Sequence, residues 1–227
     1  MRPGRAVLRS LALIVATTGG PGAAVLDDRD TANPTEPRLL VDVRLVTSAD
    51  LPQAARAVLT REVDDIWRRE RVRVRWVPAG ADDGRHDVAL PVFVVQRERP
   101  SGATVHQWPV GELLLDHGGG AVAVASIAAA ERALDATGAR DEPTALRHRR
   151  LGLILGRTVA HEMGHYLLNT NGHARRGLMR ARIGTAELAD LRSGAFFLDA
   201  QAGRWIREWR ERHPAPQPPL ASFNYAP

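Results

Sequence analysis

The chain is organised around one stretch, residues 151 to 179, which reads LGLILGRTVAHEMGHYLLNTNGHARRGLM. Its first ten residues are strongly apolar, and nothing between Thr144 and Leu168 is a strong enough break to end a helix, although three glycines weaken it. The stretch therefore predicts a long, buried helix over 144–168. The sequence Asn-Thr-Asn-Gly at 169–172 tolerates the left-handed conformation that ends helices, so we expect the chain to turn sharply there.

Two histidines and a glutamate lie on this predicted helix. His161 and His165 are four residues apart, so both imidazoles leave from one face, at a separation that suits two nitrogen ligands of one zinc ion. Glu162 lies to the side of the pair, where it can take a proton from a zinc-bound water and pass it to a leaving amine. The pattern is the HExxH motif of zinc peptidases. The competing interpretation is two ordinary surface histidines with an acid between them, but a buried helix argues against it, because buried histidines need partners.

A helix supplies two ligands before its face turns away, so the third has to come from another segment. His173 stands directly after the predicted turn, and a sharp reversal brings it back towards the metal. Glu187 is the rival, because it follows His165 by twenty-two residues on a further predicted helix, as in gluzincin-type peptidases. If Glu187 is the ligand, His173 is an exposed loop residue.

The motif and its surroundings resemble the metzincin zinc endopeptidases, which carry HExxHxxGxxH followed by a methionine in a tight turn. His161, Glu162 and His165 match this pattern directly. Met179, in Gly177-Leu178-Met179, lies eighteen residues beyond His161, an offset similar to that of the matrixin branch.

Two positions depart from the metzincin pattern. Leu168 stands at the turn glycine and Asn171 at the third histidine, so that His173 comes two residues late. The resemblance implies a zinc metallopeptidase in which Zn²⁺ is held by His161, His165 and His173, with Glu162 as general base and Met179 in the Met-turn. The gluzincin alternative leaves the Asn-Gly turn and Met179 unexplained.

Hydrophobic periodicity outside this stretch predicts an α+β domain. We expect a helix over 50–70 capped by Asp50, a short helix from 127, and helical pieces over 187–198 and 203–212. The predicted strands cover 39–46, 72–77, 88–95, part of 111–116, and 121–126. Pro91 indicates that the third strand is an edge or carries a bulge. The resemblance implies a small zincin domain, in which a mixed twisted sheet packs against the first helix and the active-site helix, with helices at the C-terminal end. It also suggests 121–126 as the sheet edge that pairs with substrate; the alternative is an ordinary interior strand.

The ends of the chain differ in composition from its middle. Residues 1–24 have a basic start, a short apolar run and small residues, which predicts a signal peptide and a secreted or periplasmic protein. Residues 25–37 are expected to form a flexible linker, 38–213 the catalytic domain, and 214–227 a Pro-rich tail. No other segment is apolar enough to span a membrane, so we expect no integral span in the mature chain.

Composition restricts the function classes. The chain has 227 residues and no cysteine, which excludes disulfides, thiolate zinc sites and thiol nucleophiles. The net charge is +5, and all 31 basic residues are arginine, so the high isoelectric point does not indicate a nucleic-acid partner. The expected partner is a peptide or protein substrate; the sequence does not indicate an oligomeric state.

Two other functional interpretations stay open at this stage. A zinc-binding module without hydrolysis would need the histidines but not Glu162, and a structural protein would need neither. Secondary candidates for the chemistry are weaker. Tyr166 is expected to pack in the core and Arg180 to be exposed, while His106, His117 and Tyr225 are possible oxyanion partners among which nothing selects.

Overall fold

Five strands form one mixed sheet in the computed structural model, which describes residues 39 to 208 apart from 49, 79–80, 82–83, 97–109, 116–119 and 193. The strands are β1 (Leu39–Thr47), β2 (Val72–Val77), β3 (Val88–Val95), β4 (Gly111–Leu115) and β5 (Ala121–Ser126). Their order in the sheet is β2-β1-β3-β5-β4. Every ladder is parallel except β4–β5, which is antiparallel. The α+β prediction is confirmed.

Five α-helices accompany the sheet in the described part of the chain. They are α1 (Gln53–Arg68), α2 (Ile127–Asp135), α3 (Thr144–Leu167), α4 (Thr185–Leu188) and α5 (Ala200–Arg207). The long helix predicted over 144–168 is confirmed as α3, whose central residues are almost all buried. No helix among the described residues is long and apolar enough to cross a bilayer. The predicted signal peptide, linker and Pro-rich tail lie outside the described residues.

Helices α1 and α3 approach each other closely through glycine. A Cβ atom on Gly152 would lie 2.5 Å from the carbonyl oxygen of Ala55, and one on Gly156 would lie 2.9 Å from that of Leu59. The glycines that lower the helix propensity of α3 are therefore the residues that let the two backbones meet. This contact fixes α3, and with it the HExxH motif, against the rest of the domain.

The predictions for two strands need correction. Strand β3 is an interior strand between β1 and β5, not an edge. Pro91 is tolerated because it pairs with Arg44 of β1, whereas the pairing with β5 begins only at Val92. The suggestion that 121–126 forms the substrate-pairing edge is also wrong, because β5 lies between β3 and β4. In the sheet formed by the described residues, the edge strand on this side is β4.

Three helix boundaries differ from the sequence prediction. Helix α1 begins at Gln53 after Pro52 and has no side-chain cap, so Asp50 does not cap it. Helix α4 ends at Leu188 instead of continuing to 198. Just after it, the Asp190 carboxylate accepts a hydrogen bond from the backbone N–H of Arg192, a local bond that competes with helix continuation. Helix α5 begins earlier than predicted because Asp199 caps it by accepting from Ala202 N–H.

Candidate metal centre

Three histidines converge at the C-terminal end of α3. One ligand atom from each of His161, His165 and His173 lies within 4.8 Å of the other two, so the group can hold a metal ion. The ring centroid of His173 is 5.5 Å from that of His161 and 4.9 Å from that of His165. Helix α3 ends at Leu167, and Asn169 then adopts a positive φ of 48°. This left-handed residue reverses the chain and brings His173 back to the helix.

The hydrogen bonds of the two helical histidines fix which ring nitrogen is available. Nδ1 of His161 lies 2.8 Å from the carbonyl oxygen of Leu178, and Nδ1 of His165 lies 2.7 Å from that of Thr170. A carbonyl oxygen only accepts, so each Nδ1 carries the hydrogen and donates it. Each neutral ring therefore presents the lone pair of Nε2, the arrangement that supports metal-ligating histidines.

The two Nε2 atoms face each other at 3.0 Å. Two lone pairs at this distance repel unless a cation or a proton lies between them. A tetrahedral zinc ion, bound at about 2.0–2.1 Å by each nitrogen, would hold two such atoms about 3.3 Å apart. The donor set of neutral imidazoles and its spacing thus fit a zinc ion.

A proton does not take the place of the cation at neutral pH. Burial lowers the pKa of His161 to about 4, and the nearby His165 and His173 act in the same direction, against the opposing contact with the Leu178 carbonyl. Burial likewise lowers the pKa of His165. Both rings are therefore neutral and free to bind a metal at physiological pH.

Glu162 lies beside the histidines as a buried carboxylate. Its side chain is 7% exposed, and it lines the same cavity as His161, His165 and His173. Burial raises its pKa to about 7, and the negative charge of Glu112 on β4 adds to this effect. A carboxyl with such a pKa can accept and release a proton near neutral pH, which is what a general acid–base catalyst requires.

Gly111, the first residue of strand β4, lines the cavity next to α3. A Cβ atom on Gly111 would lie 2.3 Å from Cγ2 of Thr158 and 3.0 Å from Oε1 of Glu162. The hydroxyl of Thr158 donates to the carbonyl of Ile154 at 2.8 Å, so this side chain is not free to rotate away. Gly111 thus lets the edge strand pass within contact distance of the carboxylate.

We expect Gly111→Ala to destabilise the protein by disturbing the packing around Glu162. The added methyl group must push β4 or Glu162 out of place, at a cost of about 1–3 kcal/mol in unfolding free energy, which is typical of overpacking. Urea denaturation measures the loss. Gly184→Ala is the matched control, because nothing lies within 4 Å of its Cβ position. Equal behaviour of the two variants would contradict this packing account.

Met179 packs beneath the histidine pair. A Cβ atom on Gly164, which lies between His161 and His165 on α3, would be 2.3 Å from the Met179 sulfur. The segment is held by Ala174 N–H donating to the Met179 carbonyl and by Leu178 N–H donating to the Phe197 carbonyl, both at 2.7 Å. The same turn presents the Leu178 carbonyl to His161.

Glu187, the rival ligand, is engaged elsewhere. Its carboxylate accepts a hydrogen bond from the guanidinium of Arg180, which also donates to the Gly177 carbonyl at 3.0 Å. Glu187 is absent from the histidine group that can hold a metal. Arg180, expected to be exposed, is instead half-buried in this ion pair. Tyr166 packs against the core as predicted.

Arg157, one turn before His161, is a site residue that the sequence reasoning missed. It is 0% exposed. Its Nε donates to Glu62 of α1 at 2.8 Å, and its Nη1 donates to the carbonyls of Glu187 and Leu188 at 2.8 Å each. The guanidinium carbon lies 4.3 Å from the ring centroid of Phe196. A single charge within the apolar run LGLILGRTVA was the signal for such a network, because a buried arginine needs a partner.

The pKa of Glu162 predicts how the stability of the metal-free protein changes with pH. Between about pH 4.5 and 7 the folded state keeps the Glu162 proton while the unfolded state loses it, so this group contributes stability at low pH that is lost as pH rises. Glu162→Gln has no such proton. The unfolding free energy of the variant should therefore rise relative to that of the wild type between pH 5 and pH 8. The expected change is on the order of 3 kcal/mol, since each unit of pKa shift corresponds to about 1.4 kcal/mol.

Urea denaturation of both metal-free proteins across this pH range measures the difference. The lowered pKa values of His161 and His165 act in the opposite direction, but they are common to both proteins and largely cancel. A difference in unfolding free energy that is independent of pH would contradict the raised pKa of Glu162.

Comparison with known proteins gives a limited result. No family model matches the chain, and no curated protein matches it. Among solved structures, the chain is similar to the crystal structure of archaemetzincin from Methanopyrus kandleri, at 12% sequence identity and a TM-score of 0.46. The match covers 80% of this chain and 99% of that chain.

Proposed function

We propose that this protein is a zinc-dependent metallopeptidase, with His161, His165 and His173 as metal ligands and Glu162 as general base. The observation that carries the proposal is the convergence of three imidazoles, two of them with their Nδ1 hydrogens committed to carbonyls, beside a buried carboxylate. The signal-like pattern of residues 1–24 supports a site of action outside the cytoplasm.

In the proposed hydrolysis, different residues of the chain have different roles. When bound, a zinc ion supplies Lewis acidity, which acidifies a water molecule and polarises the carbonyl of the scissile peptide. Glu162 accepts a proton from the attacking water and donates it to the leaving amine nitrogen. Its pKa of about 7, set by burial and by Glu112, suits both transfers. The Leu178 and Thr170 carbonyls hold the helical imidazoles in the ligating tautomer.

The position of strand β4 supports the proposal that the substrate is a peptide. The strand is an edge strand, paired only with β5 in the described sheet, and its first residue contacts Glu162. An extended peptide that adds to this edge by backbone hydrogen bonds would lie beside the carboxylate. We therefore assign to β4 the pairing with substrate that the sequence suggested for residues 121–126.

A non-catalytic zinc-binding module is the alternative, and Glu162 argues against it. A binding site needs the imidazoles alone, whereas burying a carboxylate in a cavity lowers stability when it is ionised. A buried carboxylate of this kind lowers the stability of the protein without benefit unless it transfers protons.

Peptide cleavage by the zinc-loaded protein tests the proposal. A mixture of defined peptides, followed by mass spectrometry, should be hydrolysed at internal or terminal bonds. Hydrolysis should stop when a chelator removes the metal and return when zinc is restored. A zinc-loaded, folded protein that cleaves no peptide in the mixture would support the binding module instead.

A further inference from the structure

The cavity at the metal centre has an unusual charge balance. It encloses about 800 Å³. Among the described residues that line it, four are arginines, namely Arg132, Arg157, Arg180 and Arg182, and one is acidic, Glu162. The wall of the cavity is therefore positive around one carboxylate.

Two of these arginines are neutralised by the protein itself. Arg180 pairs with Glu187, and Arg157 pairs with Glu62. Arg132, half-buried on α2, and Arg182, exposed on the segment after Met179, have no ion-pair partner among the described residues. The cavity thus carries two positive charges that the described part of the chain does not balance.

Arg157 adds a second, independent observation. Its Nε and Nη1 atoms are fully used by Glu62 and by two backbone carbonyls, but its buried Nη2 has no hydrogen-bond partner in the described structure. Buried guanidinium hydrogens normally find acceptors. A residue that lines the cavity therefore retains an unsatisfied donor, and that donor suits an acceptor brought by a ligand.

We propose that this cavity binds a carboxylate of the peptide substrate, held by Arg132 and Arg182 over the floor formed by Arg157. Guanidinium groups bind carboxylates through paired, charge-assisted hydrogen bonds. The inference rests on the proposed peptidase function and narrows its substrate class. The carboxylate belongs either to an aspartate or glutamate side chain near the scissile bond or to the C-terminus of a short peptide.

Binding of four peptide hydroxamates, which attach to a zinc ion through the hydroxamate, separates these sources without requiring catalysis. The residue after the hydroxamate is Glu or Gln, and the C-terminus is a free acid or an amide. Isothermal titration measures their dissociation constants with the zinc-loaded wild type, with Arg132→Gln, with Arg182→Gln and with the double variant. Arg56→Gln is the matched control, because Arg56 is exposed on α1 and does not line the cavity.

The wild type should bind a carboxylate compound about tenfold more tightly than its neutral counterpart, the effect expected of one charge-assisted hydrogen bond. Each single variant should reduce this preference, the double variant should abolish it, and Arg56→Gln should leave it unchanged. A preference that follows the Glu side chain indicates an acidic residue in the substrate. One that follows the free C-terminus indicates a peptide end.

Two results would overturn the inference. Equal binding of all four compounds by the wild type would show that the cavity does not recognise a carboxylate, while the zinc site would stand. A preference that survives in the double variant would place the recognition elsewhere. If the zinc-loaded protein binds none of the compounds, the proposed peptidase site fails, and the inference fails with it.

Discussion

Replacing Glu162 with glutamine should lower kcat/KM for peptide hydrolysis by about 10²–10⁴-fold, the contribution of a positioned general base. The amide keeps the size of the side chain, but it cannot take a proton from water or return it to the leaving amine. Zinc content should stay the same, because Glu162 is not among the three residues that can hold the ion. Steady-state kinetics and elemental mass spectrometry on the same preparation measure both quantities.

Glu112→Gln is the control for this experiment. Glu112 is the neighbouring carboxylate on β4, and its charge helps to raise the pKa of Glu162. Its removal should shift the pH profile of kcat/KM to lower pH and change the maximum less than about tenfold, since Glu112 is not assigned a proton transfer. Full activity of Glu162→Gln would show that Glu162 is not the general base, and the proton transfer would then belong to another group.

Arg157→Met should destabilise the protein by about 3–5 kcal/mol, the cost of breaking a buried ion pair by removing one partner. The variant leaves the Glu62 carboxylate buried without its cation. It also removes the donors to the Glu187 and Leu188 carbonyls and the contact with the Phe196 ring. Urea denaturation of the wild type and the variant measures the loss.

A double variant and a surface variant sharpen this prediction. Glu62→Met combined with Arg157→Met removes both charges together and should be less destabilised than Arg157→Met alone, because no charge is left unpaired. Arg147→Met, also on α3, breaks a partly exposed pair with Asp135 and should cost less than about 1 kcal/mol. A loss for Arg157→Met no larger than that for Arg147→Met would contradict the buried network.

The local part of the site could be predicted from sequence. The spacing of His161 and His165 requires only helical geometry, and the Asn-Gly turn before His173 requires only the known preferences of those residues. The structure brings these three histidines together, and Asn169 takes the left-handed conformation that the reversal needs. Such features depend on residues that are close together in the sequence, so they can be predicted from the sequence alone.

The remote part of the site could not be predicted in the same way. Whether β4 or β5 forms the sheet edge depends on pairing between distant segments, which periodicity alone does not define. The contact of Gly111 with Glu162 likewise joins residues far apart in sequence, and a single glycine before a short strand does not specify its neighbour. The network of Arg157 was missed, and its acceptor Glu62 is ninety-five residues away in sequence.

The helical glycines show how a local signal can be misinterpreted. Gly152 and Gly156 lower helix propensity, and on that basis they weakened the predicted α3. In the structure they lie where the backbone of α1 contacts α3, and no larger residue fits. Tertiary packing therefore explains why glycine occupies these two positions despite its low helix propensity.

The most direct test of the account is the zinc content per chain of the purified protein, measured by elemental mass spectrometry after equilibration with limiting zinc. Wild type is compared with His173→Ala and with Glu187→Ala. The account predicts one zinc per chain in the wild type, a marked loss in His173→Ala, and retention in Glu187→Ala, whose carboxylate serves Arg180 instead. Full zinc in His173→Ala together with loss in Glu187→Ala would contradict the three-histidine centre.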